Sequence, residues 1–140
     1  KKIWKNICQA EINLCMTRRR KNIGDWGEER ACEFLVRKGF VIVERNYHAT
    51  VGEIDIVARQ GGDYYFIEVK TRLEGELAND LAITYEKKRR LDKTVRHYCY
   101  YRGIGEVGLI TAGLIVHVDK LNKTLKFRLV VLKDLCQIVW

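Results

Sequence analysis

No uninterrupted apolar stretch in the chain approaches the roughly 20 residues that a bilayer-spanning helix needs. A membrane partner is therefore not expected. The start is not expected to act as a secretion signal either: KKIWKNICQAEINLCMTRRRKN offers charge followed by apolar residues, but Asn6, Gln9, Glu11 and Asn13 interrupt it and no small-residue cleavage signal is evident. Paired cysteines are lacking too. The five cysteines stand at positions 8, 15, 32, 99 and 136, without the close spacing of a zinc knuckle or redox motif, and His48, His97 and His117 form no ligand-like cluster. Several cysteines fall in apolar runs, which predicts free thiols acting as small buried hydrophobes in a reducing, cytoplasmic compartment. There is no internal repeat. The chain also has no initiator Met, so its true N-terminus is expected to be missing or processed.

What the chain does have is positive charge. Lys and Arg outnumber Asp and Glu by 26 to 18, a formal charge of +8 whose field attracts polyanions. Nucleic acid leads the partner classes; a basic surface that serves only solubility is the alternative. A chain of 140 residues fits one core without disulfides, so a site must be built within that core or completed by a second copy in a homodimer.

Along the chain, residues 1–21 read as an N-terminal helical extension, with Ile3, Ile7 and Leu14 near one face, ending in a basic hinge at Arg18, Arg19, Arg20 and Lys21. Residues 22–140 read as the main domain. Asp25 has the spacing to cap a helix starting near Trp26, with Glu28 three residues later, Ala31, Leu35 and Lys38 along one side and Gly39 as terminator. A strand over Phe40–Tyr47 follows. Next comes an antiparallel hairpin, GEIDIVARQ and YYFIEVKTR around Gly61-Gly62-Asp63. A loop over Leu73–Asp80 leads to a helix over Thr84–Tyr101, whose stripe of Leu91, Val95 and Tyr98 opposes Lys87, Lys88, Arg89, Arg90 and Lys93; Gly103 and Gly105 end it. Two strands, Leu109–Val118 and Thr124–Leu132, and a short C-terminal helix or edge element complete the order. The economical fold is α/β, a mixed central sheet flanked by helices.

Side chains at i and i+2 of a strand share a face, which pairs Glu53 with Asp55 and Glu68 with Lys70; antiparallel pairing then sets three carboxylates beside one ammonium. Ile54, Ile56, Ile67 and Val69 alternate with them. A sheet with one wet face would look the same, so the pattern alone does not establish catalysis. It does meet a chemical demand. Oxygen ligands from Asp55 and Glu68 suit Mg²⁺, which keeps several waters and engages phosphate oxygens, and Lys70 could orient or help deprotonate a water or stabilise transition-state charge.

Taken together, GDWGEERACEFLVRKGF, ERNYHATVGEIDIVARQ, YYFIEVKTR and EKKRRLDKTVRHY resemble the YraN-like family of bacterial proteins, within the restriction-endonuclease-like PD-(D/E)XK nuclease superfamily. The resemblance implies a restriction-endonuclease-like fold and assigns Asp55, Glu68 and Lys70 to the acidic, acidic and lysine positions of the nuclease signature. It makes Glu28 either a third metal ligand or the helix cap already described, and Glu53 either a catalytic partner or a residue that supports the ligands. Arg72 and Lys87 match basic positions, implying backbone contacts near the scissile phosphate; solvated surface charges are their bland reading. The chain departs from the family where LITAGLIVHV replaces a strand opening with Arg-Phe-Asp, and where the ending CQIVW lacks the usual histidine.

The function so implied is Mg²⁺-dependent phosphodiester hydrolysis of DNA, branched or otherwise nonstandard DNA included, with Mn²⁺ as substitute. Two alternatives stand beside it. One is a noncatalytic nucleic-acid-binding protein, for which Tyr98, Tyr100 and Tyr101 with Arg96 and Arg102 would supply stacking or phosphate contacts; a tyrosine-rich core face or dimer surface explains these residues at least as easily. The other is a structural dimer with a metal site.

Overall fold

Two apolar-alternating segments joined by a pair of glycines can fold back only if the reversal tolerates left-handed backbone, and Gly61, at φ 64°, provides it. The computed structural model describes residues 2–6, 20–73 and 84–134. In order these form β1 (Lys2–Asn6), α1 (Arg20–Arg37), β2 (Val41–Ala49), β3 (Gly52–Gln60), β4 (Asp63–Leu73), α2 (Tyr85–Arg102), β5 (Gly108–Asp119) and β6 (Thr124–Asp134).

The sheet runs β1-β6-β5-β4-β3-β2. The β2–β3 and β3–β4 pairs are antiparallel, as are β5–β6 and β1–β6, while β4 and β5 run parallel. A parallel pair needs a long crossover, which here carries α2. Strands β2–β6 with a helix on each face make the expected restriction-endonuclease-like mixed α/β fold.

Alternation along β4 divides the core between the two helices. Ile67 and Val69 join Ala31, Phe34, Leu35, Ile56 and Phe127 under α1, where Phe34 and Phe127 stack with ring centroids 4.7 Å apart. Phe66 turns the other way, to Leu91, Val95 and Tyr98 of α2. Helix α2 is well delimited: Thr84 Oγ1 accepts the Lys87 N–H at 3.2 Å, and Gly103 ends it in the left-handed region.

Several sequence expectations are corrected. Residues 2–6 are a strand, not part of a helix, because they find an edge to pair with: Lys2 stands opposite Arg128 and Asn6 opposite Thr124. Arg20 and Lys21, read as hinge, belong to α1. Asp25 consequently lies inside that helix and cannot cap it, which removes the capping role of Glu28. Tyr98, offered for stacking, is 1% exposed and belongs to the core. Cys32 and Cys99 are buried free thiols, as expected. No helix among the described residues is long and apolar enough to cross a membrane. The terminal element after residue 134 and most of the 73–80 loop lie outside the described residues.

Candidate active site

The hairpin strands do not alternate regularly through the acidic motif. Ile54 packs under α2 whereas Ile56 and Ala58 pack under α1, so β3 changes sides at Asp55. On β2 the same change falls at Asn46, at φ 53°, between Arg45, which pairs with Glu29 of α1 at 2.9 Å, and Tyr47, which packs under α2. The β3–β4 ladder ends there too, its last register pair being Ile56 with Ile67. Just beyond it, the Val69 N–H is taken by the Asp55 carboxylate, Oδ2 accepting at 2.8 Å. Such irregularities re-aim side chains, and here they point Asp55 into the opening between diverging strands.

That opening is a cleft of about 380 Å³ lined by His48, Glu53, Asp55, Glu68, Lys70, Lys87 and Arg90, with Gly52, Ala49 and Leu91. Glu68 and Lys70 share a face of β4, and the Lys70 ammonium lies 3.4 Å from Glu68 Oε1. Opposite them, α2 contributes Lys87 and Arg90. The Lys70 amine beside Lys87 pushes the Lys87 pKa down. Glu53 is exposed and meets His48 Nδ1 across the hairpin at 3.2 Å.

Two glycines bring the helices this close. A Cβ on Gly52, whose φ is 153°, would stand 2.5 Å from Thr94 Oγ1 and 3.1 Å from Arg90 Cγ. A Cβ on Gly27 would collide with the Thr71 hydroxyl. Gly52→Ala is therefore expected to destabilise the fold by roughly 1–3 kcal/mol and to loosen α2 over the cleft. A denaturant midpoint matching the parent's would contradict that.

The electrostatics follow from burial and crowding. Desolvation, then the charges of Glu68 and Glu53, outweigh the Val69 hydrogen bond and Lys70 and push the Asp55 pKa up to about 6. Glu28 is not among the lining residues, but burial and then the Asp55 charge push its pKa up to about 7, so the two carboxylates feel one another. Arg72 also stays out of the lining, its guanidinium donating to the Thr71 carbonyl at 3.2 Å. The sequence reading missed His48 and Arg90. Both had a signal: His48 falls opposite Glu53 when the chain reverses at residues 50–51, and Arg90 is one helical turn from Lys87.

Among the described residues no three His, Cys, Asp or Glu side chains are gathered into a metal-holding group. Asp55, Glu68 and Glu28 thus do not form a closed three-ligand cage. The donor set still fits a hard divalent ion, because Mg²⁺ is commonly held by one or two carboxylates, its other positions going to water and substrate phosphate. Mutual repulsion among Asp55, Glu68 and Glu53 is the charge imbalance such an ion would relieve.

The model of the uncharacterised protein family UPF0102, the YraN-like family, matches residues 27–131. A UPF0102 protein of Roseiflexus castenholzii is 53% identical over 57 residues, 41% of this chain and 46% of that protein, so the match spans under half of that relative. One from Dictyoglomus turgidum is 42% identical over 79 residues, 56% of this chain and 67% of that protein. One from Desulfitobacterium hafniense is 38% identical over 92 residues, 65% of this chain and 76% of that protein. The matched stretch contains Glu28, Glu53, Asp55, Glu68, Lys70, Arg72 and Lys87, and on this coverage the chain belongs to the UPF0102 family.

Proposed function

We propose that this protein is a metal-dependent endonuclease that hydrolyses DNA phosphodiesters, branched or otherwise nonstandard DNA included. The observation that carries the reading is the convergence of Asp55, Glu68 and Lys70 in one cleft with Lys87 and Arg90 facing them. Carboxylates alone would repel a phosphodiester, and cations alone would bind it without holding a metal. Both together divide the work.

Asp55 and Glu68 are the residues that would hold the ion, with Glu28 near enough to Asp55 to add its charge. When bound, Mg²⁺, or Mn²⁺ in its place, would neutralise phosphate charge and stabilise the charge that develops on phosphoryl transfer. Lys70, fixed beside Glu68, orients the attacking water or meets negative charge on the phosphate. Lys87 and Arg90 bind the backbone from α2, and Arg72 extends the positive field along β4. The Val69 N–H holds the Asp55 carboxylate in place. DNA as the substrate, and cytoplasm as the location, follow the resemblance and the free thiols.

The test is a Mg²⁺ or Mn²⁺ cleavage screen over duplex, single-stranded, flap and four-way DNA with matched RNA controls. Cutting in the presence of metal, lost on chelation, supports the reading. A parent that binds DNA tightly but cuts nothing would instead leave a noncatalytic binding protein on a nuclease scaffold. Binding itself should weaken as salt rises, because each neutralised phosphate releases counterions. Lys87→Ala is expected to weaken all substrates alike and to lower the salt slope by about 1. Titrations at several ionic strengths that give a flat line would contradict it.

A further inference from the structure

Helix α2 has an outer face that the cleft does not use. At 100° per residue, Tyr85, Arg89, Lys93, Arg96 and Tyr100 fall within a sector of about 80°, opposite the buried Leu91, Val95 and Tyr98. The three cations are exposed, and so are the rings at either end, 75% at Tyr85 and 81% at Tyr100. Exposed aromatic rings set along a basic track are the layout on which single-stranded nucleic acid stacks. The Arg89 guanidinium lies over the Tyr85 ring at 6.0 Å, and Tyr100 is braced edge-on by Tyr101 at 5.1 Å. This face adjoins the cleft through Arg90, which lines both the cleft and a neighbouring groove with Arg89, Lys93, Val51 and a single carboxylate, Glu86.

We propose that this outer face of α2 binds an unpaired DNA strand that leaves the cleft, its phosphates lying on Arg89, Lys93 and Arg96 and its bases stacking on Tyr85 and Tyr100. The rings are about 22 Å apart along the axis, room for a segment of roughly four nucleotides. Base-paired nucleotides already stack on one another and cannot offer their faces to tyrosine, so the occupant is a single strand rather than a duplex. A second copy of the chain fits less well, because an isologous contact would press Arg89, Lys93 and Arg96 against their own counterparts. This inference rests on the nuclease reading for the direction of the strand but not for the binding itself.

The experiment measures fluorescence anisotropy of labelled blunt duplex and of the same duplex carrying a single-stranded tail on either strand, in chelator so that nothing is cut. The parent is expected to prefer a tailed duplex. Tyr85→Ala and Tyr100→Ala should each weaken that preference by about 5-fold to 100-fold, while blunt-duplex affinity and metal-dependent cutting of blunt duplex stay unchanged. Tyr100→Phe, which keeps the stacking face, should restore it. Arg89→Ala with Lys93→Ala should reduce the salt slope for the tailed substrate. Both rings are exposed, so circular dichroism should show an intact fold, and light scattering should show an unchanged mass. Tyrosine variants that bind tails as the parent does overturn the inference while leaving the nuclease reading intact. Variants that lose a dimer overturn it too and make the face an interface between copies. A parent that cuts blunt duplex but gains nothing from a tail overturns the single-strand assignment alone, whereas one that binds no DNA removes both readings.

Discussion

Asp55→Asn is expected to abolish cleavage and, at the same time, to make the protein more stable above pH 6. Loss of an anionic ligand should lower the single-turnover rate by roughly 10²–10³-fold or more and weaken Mg²⁺ binding. Stability moves the other way because the native site holds the Asp55 pKa up at about 6, against 3.8 for the unperturbed group. Between those values the folded state binds more protons than the unfolded one, so stability falls as pH rises from about 4 to about 6 and then levels off. Glu28, raised to about 7 from 4.5, extends the same trend to neutral pH. Asparagine carries no charge and can still accept the Val69 N–H. It should therefore remove the Asp55 part of the slope and stabilise the fold by on the order of 1–3 kcal/mol at pH 8. Mg²⁺ added at pH 8 should raise the melting temperature of the parent and leave the variant nearly unmoved, since a ligand that binds only the native state stabilises it. Parallel urea titrations from pH 4 to 8 decide the matter. An asparagine variant whose stability profile runs parallel to the parent's would overturn the raised Asp55 pKa, and one that cuts at the parental rate would remove Asp55 from the centre of the site.

Lys70→Ala should separate chemistry from binding. The ammonium is held 3.4 Å from Glu68 and beside Lys87, within the cleft and away from the buried core, so its loss leaves the fold intact. Under the proposed function, single-turnover cleavage is expected to slow by about 10²–10³-fold, because a charge that would meet the developing negative charge is removed. DNA affinity should change far less, since Lys87 and Arg90 remain. Metal affinity should not fall as is expected for Glu68→Ala, where a hard ion would lose an oxygen ligand. Measured on identically purified preparations, equal losses of metal binding in the two variants would assign Lys70 to support of the ligands rather than to chemistry. A trace host nuclease would give both variants and the parent the same rate, which the shared purification exposes.

Much of this molecule was legible locally. The hairpin over β3 and β4 followed from alternation and the glycine pair at 61–62, and α2 from the Leu91, Val95 and Tyr98 stripe between Thr84 and Gly103. In both, the deciding interactions lie within a few residues along the chain. Glu53, Asp55, Glu68 and Lys70 stood out for the same reason, as charge set at period two among Ile and Val. The misreadings have a different origin. Lys2–Asn6 carries enough apolar spacing for a helix, but its strand state depends on an edge offered by β6 near the other end of the sequence. Asp25 resembles a cap until the helix turns out to start at Arg20.

The residue types at the site and their order were thus determined by the sequence alone, together with the fold class, because periodicity and charge are local properties of a chain. Tertiary structure decided which of those charges meet. It ended the β3–β4 ladder at Ile56 and Ile67, turned β2 and β3 over at Asn46 and Asp55, and let Gly52 admit α2 so that Lys87 and Arg90 face the carboxylates. It also buried Tyr98 while leaving Tyr100 in water. These outcomes depend on contacts between residues far apart in sequence, whose energies exist only once the sheet and both helices are assembled.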